Sequence, residues 1–451
     1  MIAGLGQRLA GNGLMARVGR SASWIVLGYG ASQAIRLASN LILTRILFPE
    51  AFGLMALVTV ITVGLTLFSD VGIAPSISQS RRGDDPPFLD TAWTIQVGRG
   101  VILWLVACAL ALPMASFYDQ PQLATWLPLA AFSLVIAGFN PTRIETAHRH
   151  LLMGRLTLLD LASQVIGIAA MILLALWWQS VGALVVGGLI QAAAKLVLTH
   201  AGLPGHRNRL GWERAAAAEL VTFGRWIFLS TVCWFFASQG DKAILGKFLS
   251  LDALGVYNIG YFLASFPMLL GHNVTGRVMI PVYREKAPPA RIARLRYALS
   301  AVVIGLLTVA ALAGPWLVDL LYDARYHHAG AIVVVLALAL LPQVIGMTYD
   351  QVALAGGDSR RFFVYSAARS ALQVGLLLAG ALQAGVLGAI VGMGVALVLA
   401  HGVLIWLARV HGAWDARHDL IWAVYGVALA VLAVWLHADA IAAMAHATGQ
   451  A

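Results

Sequence analysis

Apolar runs of about 20 residues recur along this chain from Ser23 to Ala438, and that recurrence restricts the fold more than any motif does. Coiled as a helix, each run crosses a hydrocarbon layer roughly 30 Å thick. Lipid offers backbone groups no hydrogen-bond partner, so the spans must satisfy their own and helices follow. The rest of the chain does not dilute the signal: 60% of its 451 residues are hydrophobic, 11% are charged, and mean hydropathy is +0.82, outside the range of soluble globular domains. The expected fold class is all-α, a polytopic membrane protein.

The runs place spans near residues 22–46, 52–78, 91–117, 124–143, 155–178 and 181–203, then 219–240, 253–281, 297–321, 330–354, 361–383 and 385–408. One more, near 419–437, stands outside this scheme of six plus six, and the tail beyond it is too short and polar to cross, so about thirteen spans are expected. The organisation is then an interfacial segment over 1–21, an N-terminal six-helix lobe over 22–203, a linker over 204–218, a C-terminal six-helix lobe over 219–408, and an extra span with its tail over 409–451. The first twenty residues carry Arg8, Arg17 and Arg20 without an apolar core of signal-peptide length. An interfacial cytoplasmic helix is expected there.

A net charge of +10 raises the question of nucleic acid, but the basic residues follow topology instead. Roughly 20 Lys and Arg fall in the N-terminal segment and the even-numbered loops, against about 4 on the other side, and this bias puts the N-terminus and the basic loops in the cytoplasm. Trp126, Trp177, Trp178, Trp316 and Trp435 fall at outer ends, and Trp24, Trp93, Trp212, Trp226 and Trp422 at inner ones, as an aromatic belt requires. The loops are too short for an extramembranous catalytic domain, which argues against a membrane-bound polymerase or ligase. Cys108 and Cys233 both sit inside apolar runs, where redox or thiolate-metal chemistry is not expected.

The chain also repeats itself. ILTRILFPEAFGLM at residues 42–55 lies over ILGKFLSLDALGVY at 244–257 without gaps, so Arg45 meets Lys247, Glu50 meets Asp252, and Gly53 meets Gly255. VGALVV at 181–186 echoes LGAIVG at 387–392 more weakly. An even number of spans separates the copies, so the halves share one orientation, a parallel repeat of the transporter kind.

LTRILFPEAFGLMALVTVI followed by LFSDVGIAPSISQS resembles the opening of the Wzx-type flippases of the polysaccharide transporter family. Arg45, Leu47, Pro49, Phe52 and Gly53 fill its first pattern, and Asp70 and Gly72 its second. Asp241, Lys242, Gly246, Leu254, Gly255 and Tyr257 resemble the matching segment of the second half. The resemblance implies two six-helix lobes around a central cavity, alternating access, and an undecaprenyl-diphosphate-linked oligosaccharide as cargo. It also implies membrane lipid and polysaccharide polymerase or export machinery as partners, with no enzyme activity, no cofactor and no metal.

Ionisable residues inside spans are costly and face a bundle interior or a wet cavity. The cations are Arg36, Arg99, Lys195, Arg225, Arg277 and Arg369, and all but mid-span Arg36 lie toward their helices' cytoplasmic ends. A cationic vestibule there suits a diphosphate, because the guanidinium stays charged and matches phosphate oxygens. For Lys195, Arg225 and Arg277 the alternative is that they snorkel to headgroups. The carboxylates are Asp70, Asp160, Asp319 and Asp350. They pair statically with the cations or exchange partners between states to couple loading to closure. A drug or organic-cation exporter of the same superfamily is the rival function, and the surplus of buried cations over acids disfavours it. GDKAILGK at 240–247 lacks P-loop spacing, and no histidine pair has metal-ligand spacing.

Overall fold

The computed structural model describes residues 14–70, 72–285 and 288–448, with the side chains of 14–22, 26, 221–230, 277, 281 and 448 left outside the description. Most of the expected interfacial segment, residues 1–13, therefore lies outside the described residues, and 14–21 continue into the first helix. The helices are α1 (Leu14–Ile46), α2 (Pro49–Phe68), α3 (Ile73–Gln79), α4 (Pro86–Phe117), α5 (Leu123–Gly138), α6 (Arg143–Arg149), α7 (Met153–Trp178) and α8 (Val181–Gly202). They continue as α9 (Arg214–Phe248), α10 (Leu251–Arg284), α11 (Pro289–Leu321), α12 (Ala329–Gly346), α13 (Asp350–Ala355), α14 (Ser359–Val410), α15 (Ala416–Leu436) and α16 (Ala438–Thr448).

Among the described residues, nine helices are long and apolar enough to span a membrane, and ten if the bent pair α5–α6 counts as one crossing. The other three expected spans are helical too. Two of them, α1 and α9, interleave polar and charged residues with apolar ones. The third is the second arm of α14, which is two helices joined at Ala384 and Gly385, where the backbone leaves helical geometry. Its arms fold back so tightly that a β-carbon at Gly380 would overlap the carbonyl of Gly388, and one at Gly392 that of Leu376. Small residues let the backbones meet, as in membrane helix pairs generally. Lipid-facing side chains such as Leu112, Trp177 and Trp435 stay exposed.

Three expected spans are interrupted. Residues 52–78 break between α2 and α3, 124–143 between α5 and α6 with a bend of 60°, and 330–354 between α12 and α13. The duplication is visible in these elements: the fourth span of each half breaks in its last third, and α4 and α11 carry Pro113 and Pro315 close to their ends. The halves differ at their second span, because α10 runs through where α2 stops.

The chain divides into two compact units, one formed by the described parts of Met1–Leu47 and Ile61–Thr231, the other by those of Phe48–Val60 and Val232–Ala451. The start of α2 thus belongs to the second unit, where the two copies of the repeated hairpin meet. A β-carbon at Gly53 would overlap the carbonyl of Leu251, and one at Gly255 that of Pro49. Phe52 stands edge-on to Tyr326 with ring centroids 6.3 Å apart, and the Arg325 guanidinium lies 5.1 Å from the centre of Phe48. The glycines shared by the copies are thus the points of backbone crossing.

Gly53→Ala and Gly255→Ala should each cost about 1–3 kcal/mol, the usual range for overpacking a close contact. Gly30→Ala, with open space at its β-carbon, should not. Thermal unfolding of the purified variants in detergent checks this, and an unchanged Gly53→Ala melt would refute the seam.

Candidate functional site

The first unit contains two cavities. One, of about 470 Å³, is a groove between α1, α7 and α8. Ser32, Arg36 and Ser39 recur on one face of α1 with helical spacing; Asp160, Gln164 and Met171 do so on α7, and Gln191 and Lys195 on α8. The Lys195 ammonium pairs with Asp160 at 2.9 Å, both side chains remaining partly open. Ser32 donates to Gln164 Oε1 at 2.7 Å, and Gln164 Nε2 returns a bond to the Ser32 carbonyl at 3.0 Å.

The other cavity, of about 300 Å³, lies where the α2 and α5 spans break, and Lys195 lines it as well. Asp70, Arg99 and Glu145 line its walls. At the first break, Asp70 Oδ1 accepts the N–H of Gly72 at 2.9 Å, and Gly72 takes a left-handed backbone with φ 64°. That conformation favours glycine, which gives the D-x-G pattern a structural reason. Arg99 donates through Nε to Ser69 at 3.0 Å and through Nη2 to the carbonyl of Thr66, so it caps the end of α2 while facing the cavity. Gln96 caps α5 in the same way, donating to the carbonyls of Ala137, Gly138 and Asn140.

Five of the ten charged residues singled out from sequence, Arg36, Arg99, Lys195, Asp70 and Asp160, therefore line two cavities that share Lys195. Sequence reasoning missed the Gln164 and Gln191 amides of the groove and, in the second cavity, Glu145 and Gln96. Glu145 lies on α6 and is close enough to Lys195 to interact electrostatically, but it fell just beyond a span that was expected to end at 143. Gln96 is neutral, and a search for charges passes over it.

Arg369, Asp350 and Asp319 are not among the residues that line these two cavities. In the second unit Arg369 lies near enough to Tyr365 and Asp350 to interact with both electrostatically, and Asp350 also faces His272 and accepts a bond from Gln351 at 2.8 Å. Asp241 is buried and accepts the Tyr257 hydroxyl at 2.8 Å, while the Lys242 ammonium lies 4.4 Å from the centre of the Tyr261 ring. Asp319 is exposed and pairs with His327 at 2.8 Å at the end of α11. Arg45 and Lys247 close α1 and α9 as exposed last-turn cations, where a positive charge complements the helix dipole. Arg225 lies on α9 and Arg277 on α10, with side chains outside the description. No group of three or more His, Cys, Asp or Glu among the described residues is arranged to hold a metal.

A duplicated bundle of apolar helices with cations set into polar grooves defines a multi-pass membrane transporter. The chain belongs to the polysaccharide biosynthesis protein family, whose model matches residues 42–331, in agreement with the Wzx-type resemblance of its hairpins. It is 21% identical to the lipopolysaccharide biosynthesis protein WzxC of Escherichia coli K12, over 82% of this chain and 75% of that one. It is also 21% identical to the teichuronic acid biosynthesis protein TuaB of Bacillus subtilis, over 50% of this chain and 46% of that protein. Among solved structures, the lipid II flippase MurJ in an inward closed conformation matches with TM-score 0.65 and 12% identity, covering 92% of this chain and all of that one. An inward-facing multidrug transporter of the MATE family matches with TM-score 0.64 and 15% identity, covering 84% and 95%.

The partly exposed Lys195–Asp160 pair should couple weakly. In a double-mutant cycle of Lys195→Ala and Asp160→Ala read by thermal unfolding, the interaction energy should be about 0.2–1 kcal/mol. A coupling of several kcal/mol would make the pair a structural lock instead of a site open to exchange.

Proposed function

We propose that this protein flips an undecaprenyl-diphosphate-linked oligosaccharide from the cytoplasmic to the outer leaflet of the bacterial inner membrane, by alternating access, for exopolysaccharide, capsule or O-antigen assembly. The observation that carries this reading is the groove where Arg36 and Lys195 stand among serines and glutamines, with Asp160 as the one acid. Two cations against one carboxylate favour an anionic cargo, and a guanidinium matches phosphate oxygens. The prenyl tail stays in lipid while the headgroup crosses.

Family membership supports the glycan, and the basic-loop bias supports a cytoplasmic N-terminus and loading from inside. Asp160 and Glu145 offer Lys195 two partners, so anion entry at one cavity would alter pairing at the other. That is the differential contact alternating access requires. In the second unit Asp350 and Arg369 would contribute a further switchable pair, and Asp70 would act through the break it caps. Polymerase and export machinery would receive the flipped product. Within the groove, two cations against one acid disfavour an exporter of organic cations.

Arg36→Ala should abolish surface polymer in a deletion strain complemented with the variant, while the protein inserts at normal levels. Arg99→Lys should retain partial export, because an ammonium still reaches the Thr66 carbonyl but loses the fork. Normal export by Arg36→Ala, or accumulation of the lipid-linked unit on the outer leaflet of the deletion strain, would overturn the function.

A further inference from the structure

We propose that the groove between α1, α7 and α8 is a sugar subsite, which takes the first hexose of the cargo together with its adjoining phosphate and so separates glycosylated lipid diphosphate from the bare lipid. This rests on the flippase reading above and adds to it what the groove recognises.

A phosphate site needs cations and donors. A sugar ring needs neutral groups that both donate and accept, beside an apolar surface for its C–H face. The groove holds both. Arg36 lies one turn from Ser32 on one side and from Ser39 on the other, so the cation is flanked by hydroxyls along α1. Opposite, the Gln191 amide sits one turn before Lys195 on α8.

Neither the Ser39 hydroxyl nor the Gln191 side chain has a hydrogen-bond partner among the described residues, and both are half-buried. Each is therefore available to a ligand hydroxyl. By contrast, Ser32 and Gln164 bond each other across α1 and α7, which fixes the Gln164 amide with its oxygen toward Ser32. Gln191 is held by steric fit: a β-carbon at Gly167 would collide with its own, so α7 and α8 approach there only because residue 167 is glycine. Ile168 and Met171 supply the apolar floor.

The neighbouring cavity lacks this combination. It pairs two acids, Asp70 and Glu145, with Arg99 and Lys195, and its Gln96 amide is already spent on three backbone carbonyls. Its volume of about 300 Å³ is also smaller than the groove's 470 Å³. The Asn140 side chain there does offer an unpartnered amide oxygen, but two acids share that lining, so of the two the groove, roomier and with one acid, suits a phosphorylated sugar better.

The test uses the full chain purified in detergent and two synthetic probes of equal prenyl length: polyprenyl diphosphate, and the same lipid carrying one N-acetylhexosamine. Affinities are read by titration calorimetry, and each variant is first checked for an unchanged melting temperature. The wild type should bind the glycosylated probe about tenfold more tightly, since a site built to bond hydroxyls penalises a ligand that lacks them. Gln191→Leu should lower affinity for the glycosylated probe about tenfold and for the bare lipid less than twofold, and Ser39→Ala should act in the same sense. Arg36→Ala should weaken both probes by a similar factor.

Equal wild-type affinity for the two probes, or a Gln191→Leu loss shared equally by both, would overturn the sugar subsite while an Arg36→Ala loss on both left the diphosphate cargo standing. Failure of the wild type to bind either probe would overturn the cargo and the subsite together.

Discussion

Lipid cannot hydrogen-bond a backbone, and this constraint decides what the chain's polar side chains are for. Every helix that stops inside or near the hydrocarbon leaves carbonyls that something must satisfy. At the end of α2, Arg99 takes the carbonyl of Thr66 and Thr231 that of Leu67. At the end of α5, Gln96 takes three. Beyond α12, the Tyr283 hydroxyl donates to the Thr348 carbonyl. In the loops the same rule holds: Arg149 donates to the carbonyls of Ile77, Ser78 and Ser80, Arg143 to those of His200, Leu203 and His206, and buried Arg296 to that of Ala413. A cation at a helix's carboxyl end also meets its dipole favourably. Breaks in the spans therefore exist only where a neighbouring helix supplies a donor, and the second cavity opens where two such breaks lie close.

That rule sorts the arginines. Arg143 is committed to backbone carbonyls, Arg149 to carbonyls and Asp84, and Arg296 to Ala413, Thr348, Tyr283 and Asp415, so their donors are already engaged within the protein. Arg99 is divided, with two of its nitrogens spent and one terminal nitrogen left facing the cavity. Arg36 and Lys195 are the cations of the groove itself, and Lys195 alone lines both cavities. Backbone carbonyls thus engage several of the chain's arginines, whereas Arg36 and Lys195 line the groove.

Much of the fold was legible because hydropathy measures what a span requires. The thirteen expected spans all coincide with helices, and the glycines aligned by the repeat proved to be places where backbones cross. One break was signalled, since Asn140-Pro141 marks a turn although the expected span ran to 143; another was not, since Met347 to Tyr349 carries neither glycine nor proline. Whether they interrupt a helix depends on donors from other helices, Gln96 and Tyr283. The site was legible where charge marked it. It was hidden where neutral amides did the capping, and where Glu145 lay just past an expected boundary. Asp319 went the other way: its charge drew attention, yet it sits in the open at a helix end with His327, because a charge close to the interface meets water at little cost.

The duplication shows which features belong to the scaffold and which to this half's chemistry. In the first copy Gln164 on the fifth span clasps the first through Ser32. In the second copy Ser370 occupies the corresponding place and donates to the carbonyl of Cys233 at 2.8 Å. Both clasps join the same pair of helices within their half, so the clasp is architecture. The residue before it differs, Ser163 in one copy and Arg369 in the other, and so does the result. The first copy keeps a hydroxyl-lined groove with its cations on α1 and α8; the second places a guanidinium by Tyr365 and Asp350. α15 lies outside the duplication, so no repeat partner fastens it. It relies instead on Asp419, which accepts from Tyr349 at 2.6 Å and Trp414 at 3.0 Å and contacts both His401 and His418, with His418 reaching Ser300 on α11. A half-buried carboxylate with this many partners is costly to disturb. The helix added to the repeat is therefore tied to the second unit by polar chemistry, through Asp419 and His418 at its start, Tyr425 against Thr308 along it, and His437 against the Leu312 carbonyl at its end.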